Sequence, residues 1–243
     1  MEGKVSVTRA VFFDWFNTLA LFDPPREALH SQAFLESGIN VPPGELKRGL
    51  LIADRGWFEE NARSRVEERG PEEQLEIGIR YEETVLAGAG IKTDRETLLK
   101  VLKQMQRLYK GVTFVLFEDV LDVLKTLTQQ GLILGLLTNV NEDMDAICRR
   151  LGLEPYLNFV VTSREVGADK PSSPIFLAAL ERAGVDASEA VHVGDQYKMD
   201  VVGARGVGIS PILIDRYNLY PEVADCPRIR VLSEIEKYLY PSP

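Results

Sequence analysis

Short, almost continuous apolar runs recur along this sequence of 243 residues, and a polar residue or a glycine follows each of them. The run at 10–13 precedes Asp14, the run at 132–137 precedes Thr138, and the run at 190–193 precedes Gly194. Strands that are apolar on both faces are typical of parallel sheets covered by helices on each side. The sequence therefore predicts an α/β fold with a doubly wound, Rossmann-like parallel sheet.

Helical patterns separate these runs in the second half of the chain. Apolar residues at helical spacing, closed by Gly131, Gly152 and Gly184, predict helices over 120–130, 143–151 and 174–183. The predicted strands are 5–14, 132–137, 159–162, 190–193 and 212–214, followed by an edge strand at 229–232 and a final helix at 233–239 with Ser233 as its N-cap. This alternation of strand and helix is the order that a doubly wound sheet requires.

The segment between the first two predicted core strands has a different character. Apolar residues recur at helical spacing from residue 26 to about residue 110, glycine and proline divide the segment, and no strand pattern is visible. We therefore predict an all-helical cap domain, residues 23–111, inserted into a Rossmann-like core of residues 1–22 and 112–243.

The composition predicts a soluble globular protein with an acidic charge balance. Hydrophobic residues make up 45% of the chain, charged residues make up 27%, and the formal net charge is -9. This charge argues against nucleic acid and anionic membranes as partners, whereas a local cation or metal can still attract a small phosphorylated molecule. Two isolated cysteines and the absence of a signal-peptide pattern favour a reduced, cytoplasmic protein. The sequence leaves the oligomeric state open.

Polar side chains at the ends of the predicted strands form a candidate binding site. Asp14, Thr138 and Asp195 each lie at or just beyond the carboxyl end of a strand. Ligands of open α/β sheets bind at this edge, so we expect these side chains to converge. Two carboxylates there suit Mg²⁺, while Lys170 and Thr138 offer an ammonium and a hydroxyl to anionic oxygens.

Four motifs in this order resemble those of the haloacid-dehalogenase-like (HAD) hydrolase superfamily. Residues 14–18 read DWFNT against a family pattern of D-x-D-x-T, and Thr138 is the hydroxyl residue that ends the second core strand. Lys170 is followed by Pro171, and Gly194-Asp195 with Asp200 matches G-D-x-x-x-x-D. The resemblance covers roughly residues 8–22 and 115–220 and is specific because all four motifs occur together.

The resemblance implies a role for each of these residues. Asp14 would be a nucleophile that forms an aspartyl-phosphate. Asp14, Asp195 and the backbone carbonyl of Phe16 would hold Mg²⁺. The groups expected at the substrate's phosphoryl oxygens are Thr138, Asn139 and Lys170. Asp200 would orient Lys170 or a metal-bound water.

One position departs from the pattern of the family's phosphatases. They carry a second aspartate two residues after the nucleophile, which protonates the leaving group, and this chain has Phe16 there. Phe16 is interpreted as a wall beside the substrate, or as the loss of an acid in a protein that no longer catalyses. If Phe16 is a wall in an active enzyme, then the substrate has a good leaving group, or another residue donates the proton, or turnover is slow.

Three functions follow from these observations. The first is a Mg²⁺-dependent hydrolase, a phosphatase acting on a small phosphorylated molecule through Asp14. The second is a 2-haloacid dehalogenase in which Asp14 attacks carbon, although the Gly194-Asp195 metal motif weighs against it. The third is a non-catalytic binding or regulatory protein that keeps the Mg²⁺ site. The sequence does not identify the substrate.

Overall fold

The computed structural model describes residues 7–140 and 142–239. By its internal contacts the chain divides into two compact units. We call Met1–Leu21 with Val115–Pro243 the sheet unit, and Phe22–Phe114 the helical unit. The assignment of residues 23–111 as a cap domain remains a prediction.

The described residues contain eight strands and ten α-helices. The strands are β1 (Ala10–Phe13), β2 (Ala20–Asp23), β3 (Thr113–Leu116), β4 (Ile133–Thr138), β5 (Phe159–Thr162), β6 (Ala190–Gly194), β7 (Ser210–Ile214) and β8 (Arg228–Ile229). The helices are α1 (Arg26–Glu36), α2 (Pro43–Arg63), α3 (Pro71–Gly88), α4 (Arg95–Leu108), α5 (Val120–Gln129), α6 (Met144–Arg150), α7 (Ser163–Val166), α8 (Ser173–Ala183), α9 (Gly203–Gly206) and α10 (Glu236–Leu239). None of the helices in these described ranges has the length and hydropathy needed to cross a bilayer.

Six parallel strands form the main sheet, in the order β5-β4-β1-β6-β7-β8. The first strand lies in the middle, with later strands added first on one side and then on the other. This is the doubly wound order, and its switch point lies between β1 and β6. The predicted Rossmann-like α/β class is therefore confirmed.

The apolar runs are explained by burial on both faces of this sheet. Every residue of β1 and of β6 is buried. Phe12 of β1 contacts the ring of Phe159 in β5, with ring centroids 5.9 Å apart, and α8 adds Ile175 and Phe176 to the same core. The close packing fixes the register, so the residues that follow β1, β4 and β6 reach the same edge of the sheet.

The structure corrects the predicted ends of the sheet unit. β1 begins at Ala10, and the predicted start at residues 5 and 6 lies outside the described residues. The predicted edge strand at 229–232 is wrong beyond Ile229, because the Leu232 amide donates to the Asp119 side chain at 2.6 Å instead of to a strand. The predicted final helix is a 3₁₀ turn over 232–235 followed by α10, so Ser233 lies inside the turn and is not an N-cap. β2 and β3 pair with each other and were not predicted.

The helical unit contains α1 to α4, as the helical spacing predicted. Its apolar core includes Leu29 and Phe34 of α1, Leu46 of α2, Val85 of α3 and Val101 of α4. A polar cross-link joins three of these helices.

In this cross-link the Arg26 guanidinium donates to both Asp54 oxygens at 2.5 and 2.6 Å, and the Tyr81 hydroxyl donates to Asp54 at 2.8 Å. The pairing compensates two largely buried charges that would otherwise destabilise the helical unit.

Helices α2 and α3 pack closely because two glycines face each other. A Cβ atom on Gly88 would lie 2.4 Å from the Gly49 Cα, and one on Gly49 would lie 2.2 Å from the Val85 carbonyl oxygen. Real Cβ atoms do not approach backbone so closely, so any side chain at either position must separate the helices.

We expect Gly88→Ala to lower the free energy of unfolding by about 1–3 kcal/mol, the usual cost of an overpacked core. Gly56→Ala is the matched control, because Gly56 lies in α2 with no atom within 4 Å of the added methyl. The control should stabilise the protein by about 0.5–1 kcal/mol, the helix preference for alanine. Urea denaturation measures both, and equal effects would contradict the packing argument.

Candidate active site

Three carboxyl groups meet at the carboxyl edge of the sheet. Asp14 follows β1 and Asp195 follows β6, the two strands on either side of the switch point. Asp200 lies a few residues further on, in a π-helical turn over Tyr197–Val202. Oxygen atoms of these three residues all lie within 4.8 Å of one another. We call Asp14, Asp195 and Asp200 the acidic cluster.

The Lys170 side chain enters this cluster from the loop between α7 and α8. Its ammonium donates to Asp14 Oδ1 at 2.5 Å and to Asp200 Oδ1 at 2.8 Å, and it is only 3% exposed. A buried ammonium is tolerated only when it is paired and hydrogen-bonded, as it is here. Lys170 therefore neutralises part of the charge and sets the position of Asp14.

Asn139 holds the backbone that carries this lysine. Its Oδ1 accepts a hydrogen bond from the Lys170 amide at 2.9 Å, and its Nδ2 donates to the Lys170 carbonyl at 3.3 Å. Thr138 is buried at the end of β4, and its Oγ1 accepts from the Val140 amide at 3.0 Å. Asn139 therefore contacts Lys170 directly, while the binding of substrate oxygens by Thr138 and Asn139 remains a prediction.

Asp200 is held from three directions. It accepts from Lys170, from the Gln196 amide at 3.1 Å and from His192 Nε2 at 3.0 Å. Because a carboxylate can only accept, Nε2 of His192 carries the proton. The sequence pattern gave no role to His192, since a histidine inside a buried strand looks like a core residue. The feature of the sequence that could have indicated its role is its position on β6, two residues before Gly194.

Burial and charge shift the ionisation of these groups in different directions. Burial raises the pKa of Asp14, with Asp200 adding to the rise and Lys170 opposing it. Burial also raises the pKa of Asp195 well above its ordinary value, helped by the neighbouring carboxylates of Asp14 and Asp200. Burial would raise the pKa of Asp200 as well, but Lys170 and His192 outweigh it and lower that pKa. Asp195 is thus the carboxyl group of the cluster whose negative charge is least compensated by neighbouring positive charge.

The loop that follows Asp14 approaches the cluster through small polar groups. The Thr18 hydroxyl is buried and donates to Asp14 Oδ2 at 3.1 Å. Asn17 adopts a left-handed backbone, φ 61°, which asparagine tolerates better than most residues. Its side chain lowers the pKa of Asp195, which opposes part of the rise caused by burial. Phe16 is half-buried and brings no group that can transfer a proton.

The acidic cluster has the donor set of a divalent cation site. Oδ1 of Asp195 is buried and has no hydrogen-bond partner among the described residues. Three carboxyl groups face one lysine, and hard oxygen ligands are those that Mg²⁺ prefers. The residues present therefore fit a bound magnesium ion, which would relieve the repulsion between the carboxylates.

The model of one protein family matches residues 8–208, and its description is haloacid dehalogenase-like hydrolase. The chain belongs to this family. The match contains all four motifs identified in the sequence, and it agrees with the doubly wound sheet.

One curated relative is named for its domain and another for its activity. A haloacid dehalogenase-like hydrolase domain-containing protein 3 of Danio rerio is 36% identical over 50% of this chain and 50% of its own length. A ribulose-1,5-bisphosphate 5-phosphatase of Halopiger xanaduensis is 40% identical over 41% of this chain and 42% of its own. The chain thus spans about half the length of these curated relatives.

Solved structures match over nearly the whole chain. A HAD phosphatase from Thermococcus onnurineus has a TM-score of 0.57 and 26% identity, covering 96% of this chain and 98% of that one. A 2-haloacid dehalogenase from Pseudomonas syringae has a TM-score of 0.54 and 27% identity, covering 95% of this chain and 97% of that one. These two structures, one described as a phosphatase and the other as a dehalogenase, are about equally similar to this chain.

The glycine before Asp195 is required by the packing of Asp200. A Cβ atom at Gly194 would lie 2.1 Å from the Asp200 Cγ. We expect Gly194→Ala to displace this carboxyl group from Lys170 and His192 and to lower the free energy of unfolding by about 1–3 kcal/mol. Gly206→Ala, where the added methyl meets nothing within 4 Å, is the control. Thermal and urea unfolding compare the two; a variant at Gly194 as stable as the control would refute this account.

Proposed function

We propose that this protein is a Mg²⁺-dependent phosphohydrolase that acts on a small phosphorylated molecule through an aspartyl-phosphate on Asp14. The observation that carries the proposal is the contact between the buried Asp14 carboxylate and the Lys170 ammonium, at the edge of the sheet where the acidic cluster lies. Relatives named as phosphatases add support. Lysine beside a carboxylate suits a substrate that carries anionic oxygens.

In the first step an oxygen of Asp14 attacks the substrate's phosphorus. A bond forms between that oxygen and phosphorus, the bond from phosphorus to the leaving oxygen breaks, and its electron pair departs with that oxygen. Lys170 lies where it can stabilise charge on the phosphoryl oxygens, while Asn139 keeps the lysine in place. In the second step water attacks the phosphorus of the aspartyl-phosphate. A bond forms between the water oxygen and phosphorus, the bond from phosphorus to the Asp14 oxygen breaks, and its electron pair restores the Asp14 carboxylate. The protons of the water leave with the dihydrogen phosphate that is released.

Asp14, Asp195 and the backbone carbonyl of Phe16 are the groups proposed to hold Mg²⁺, which when bound supplies Lewis-acid charge compensation at the phosphoryl group. Asp200 contributes by holding Lys170 at 2.8 Å. Thr18 restrains the other oxygen of Asp14 through its hydroxyl. Together these contacts limit the rotation of the nucleophile before the substrate arrives.

Phe16 limits which substrates can react quickly. With no proton donor at this position, the departing oxygen leaves as an anion, so the rate depends on how stable that anion is. Acyl and aryl phosphates have stable leaving groups, whereas alkyl phosphates do not. We therefore propose that substrates of the first kind are hydrolysed fastest.

The test of the proposed function is phosphate release from a panel of acyl, aryl and alkyl phosphates, with Mg²⁺ and with EDTA. We expect turnover that requires Mg²⁺ and that falls by on the order of 10⁴-fold or more in Asp14→Asn, because the nucleophile is lost. Asp122→Asn changes an exposed carboxylate on α5 and should keep full activity. Undiminished turnover in Asp14→Asn would refute the proposal.

The role of position 16 has its own test. Phe16→Asp should raise the rate with alkyl phosphates by on the order of 10²-fold or more, the contribution of general acid catalysis, and should change p-nitrophenyl phosphate hydrolysis less. Phe16→Asn is the control, since it matches aspartate in size but transfers no proton. If both variants give the same rates, the phenylalanine acts through its shape and not through the missing acid.

Hydrolytic dehalogenation of a 2-haloacid is the second candidate, favoured by the non-acidic Phe16 and by the similarity to the Pseudomonas syringae enzyme. Asp14 would attack carbon, halide would leave with the bonding electron pair, and water would hydrolyse the resulting ester. Halide release from 2-chloropropionate without metal would establish this function. Release of neither phosphate nor halide would instead favour a binding protein.

A further inference from the structure

The backbone of the loop from Asp14 to Ala20 contains a polar group that needs a partner from elsewhere. Thr18 has no exposed surface, and its hydroxyl is used by Asp14. Within the loop, the amides of Leu19 and Ala20 donate to the Trp15 carbonyl at 2.9 and 3.0 Å. The Thr18 carbonyl receives no bond from the loop itself, and a buried carbonyl without a donor would destabilise the fold.

Arg216 provides the donors for this carbonyl. Its NH2 and Nε groups point at the Thr18 oxygen at 2.9 and 3.3 Å, and its side chain is 8% exposed. Arg216 follows β7, which lies two strands away from β1 in the main sheet. It also lies beyond residue 208, where the match to the family model ends.

The guanidinium is itself held in one orientation. Asp119 accepts from NH1 at 3.2 Å and from NH2 at 3.0 Å, which is a two-point contact. The Phe117 ring lies under the guanidinium carbon at 3.9 Å, and the Phe117 amide donates to the Leu19 carbonyl at 3.1 Å. Because Asp119 binds two nitrogens of the guanidinium and the Phe117 ring packs against it, Arg216 can act as a rigid support for the loop.

We propose that Arg216 is a positioning residue for the nucleophile, acting through Thr18. Arg216 fixes the Thr18 backbone, and the Thr18 hydroxyl fixes Asp14 Oδ2. The catalytic part of this inference rests on the proposed function. The structural part does not, since it concerns only how the loop from 14 to 20 is held.

Two measurements test the inference on Arg216→Met and Arg216→Lys. Hydrogen exchange, followed by mass spectrometry over residues 14–20, should become about tenfold faster in Arg216→Met, because a charged hydrogen bond no longer opposes local opening. The kcat for p-nitrophenyl phosphate should fall by on the order of 10- to 100-fold with little change in KM, because the nucleophile is misplaced while substrate contacts remain. Arg216→Lys keeps the charge but not the fork of donors, so it should lie in between.

Arg205→Met is the matched control in the sheet unit. Arg205 pairs with Asp225 at 2.8 Å on the surface and has no contact with the loop, so its loss should leave exchange and kcat unchanged.

Unchanged exchange of the loop in folded Arg216→Met would overturn the inference. So would faster exchange with an unchanged kcat in an active enzyme. If Arg216→Met does not fold, the lysine variant decides by the same criteria. A wild type without phosphate release would refute the proposed function, while the exchange data still decide whether Arg216 holds the loop.

Discussion

The chemistry at the edge of the sheet depends on one buried ammonium group. Three carboxyl groups converge there because the register of the parallel strands brings their ends together, and like charges so close would otherwise favour protonation. Lys170 compensates Asp14 and Asp200 directly, and Asn139 fixes the lysine through its backbone. Asp195 receives no comparable partner from a cation. A divalent ion beside Asp195 would complete the charge balance that Lys170 begins.

Most of the fold and the positions of the charged residues could be predicted from the sequence. Runs such as 10–13 and 190–193 are apolar because both faces of their strands are buried, and that constraint is visible in composition alone. β8 was overestimated because its end is decided by the long-range bond from Leu232 to Asp119. β2 and β3 were missed because both are only partly buried, so neither has the continuous apolar run that marks the strands of the main sheet.

The contacts that support the acidic cluster could not be predicted in the same way. His192 and Arg216 hold Asp200 and Thr18, yet each is distant in sequence or hidden in a buried strand. The binding of substrate oxygens by Asn139 remains a prediction, but the contacts of its side-chain amide oxygen and nitrogen with the Lys170 backbone were not predicted. Motifs identify the residues that carry charge into the cluster. The residues that hold them in place are identified only by three-dimensional contacts, because many side chains could serve that purpose.

The tight fit of Asp200 against Gly194 also constrains how this sequence can diverge. A carboxylate at 200 leaves room only for hydrogen at 194, so the two positions share one fixed volume. A larger residue at 194 therefore requires a smaller residue or a shifted backbone at 200. We expect related sequences to show this as correlated substitution, with glycine at 194 kept wherever an acidic residue stands at 200. The glycine in this motif thus records the presence of a side chain six positions away.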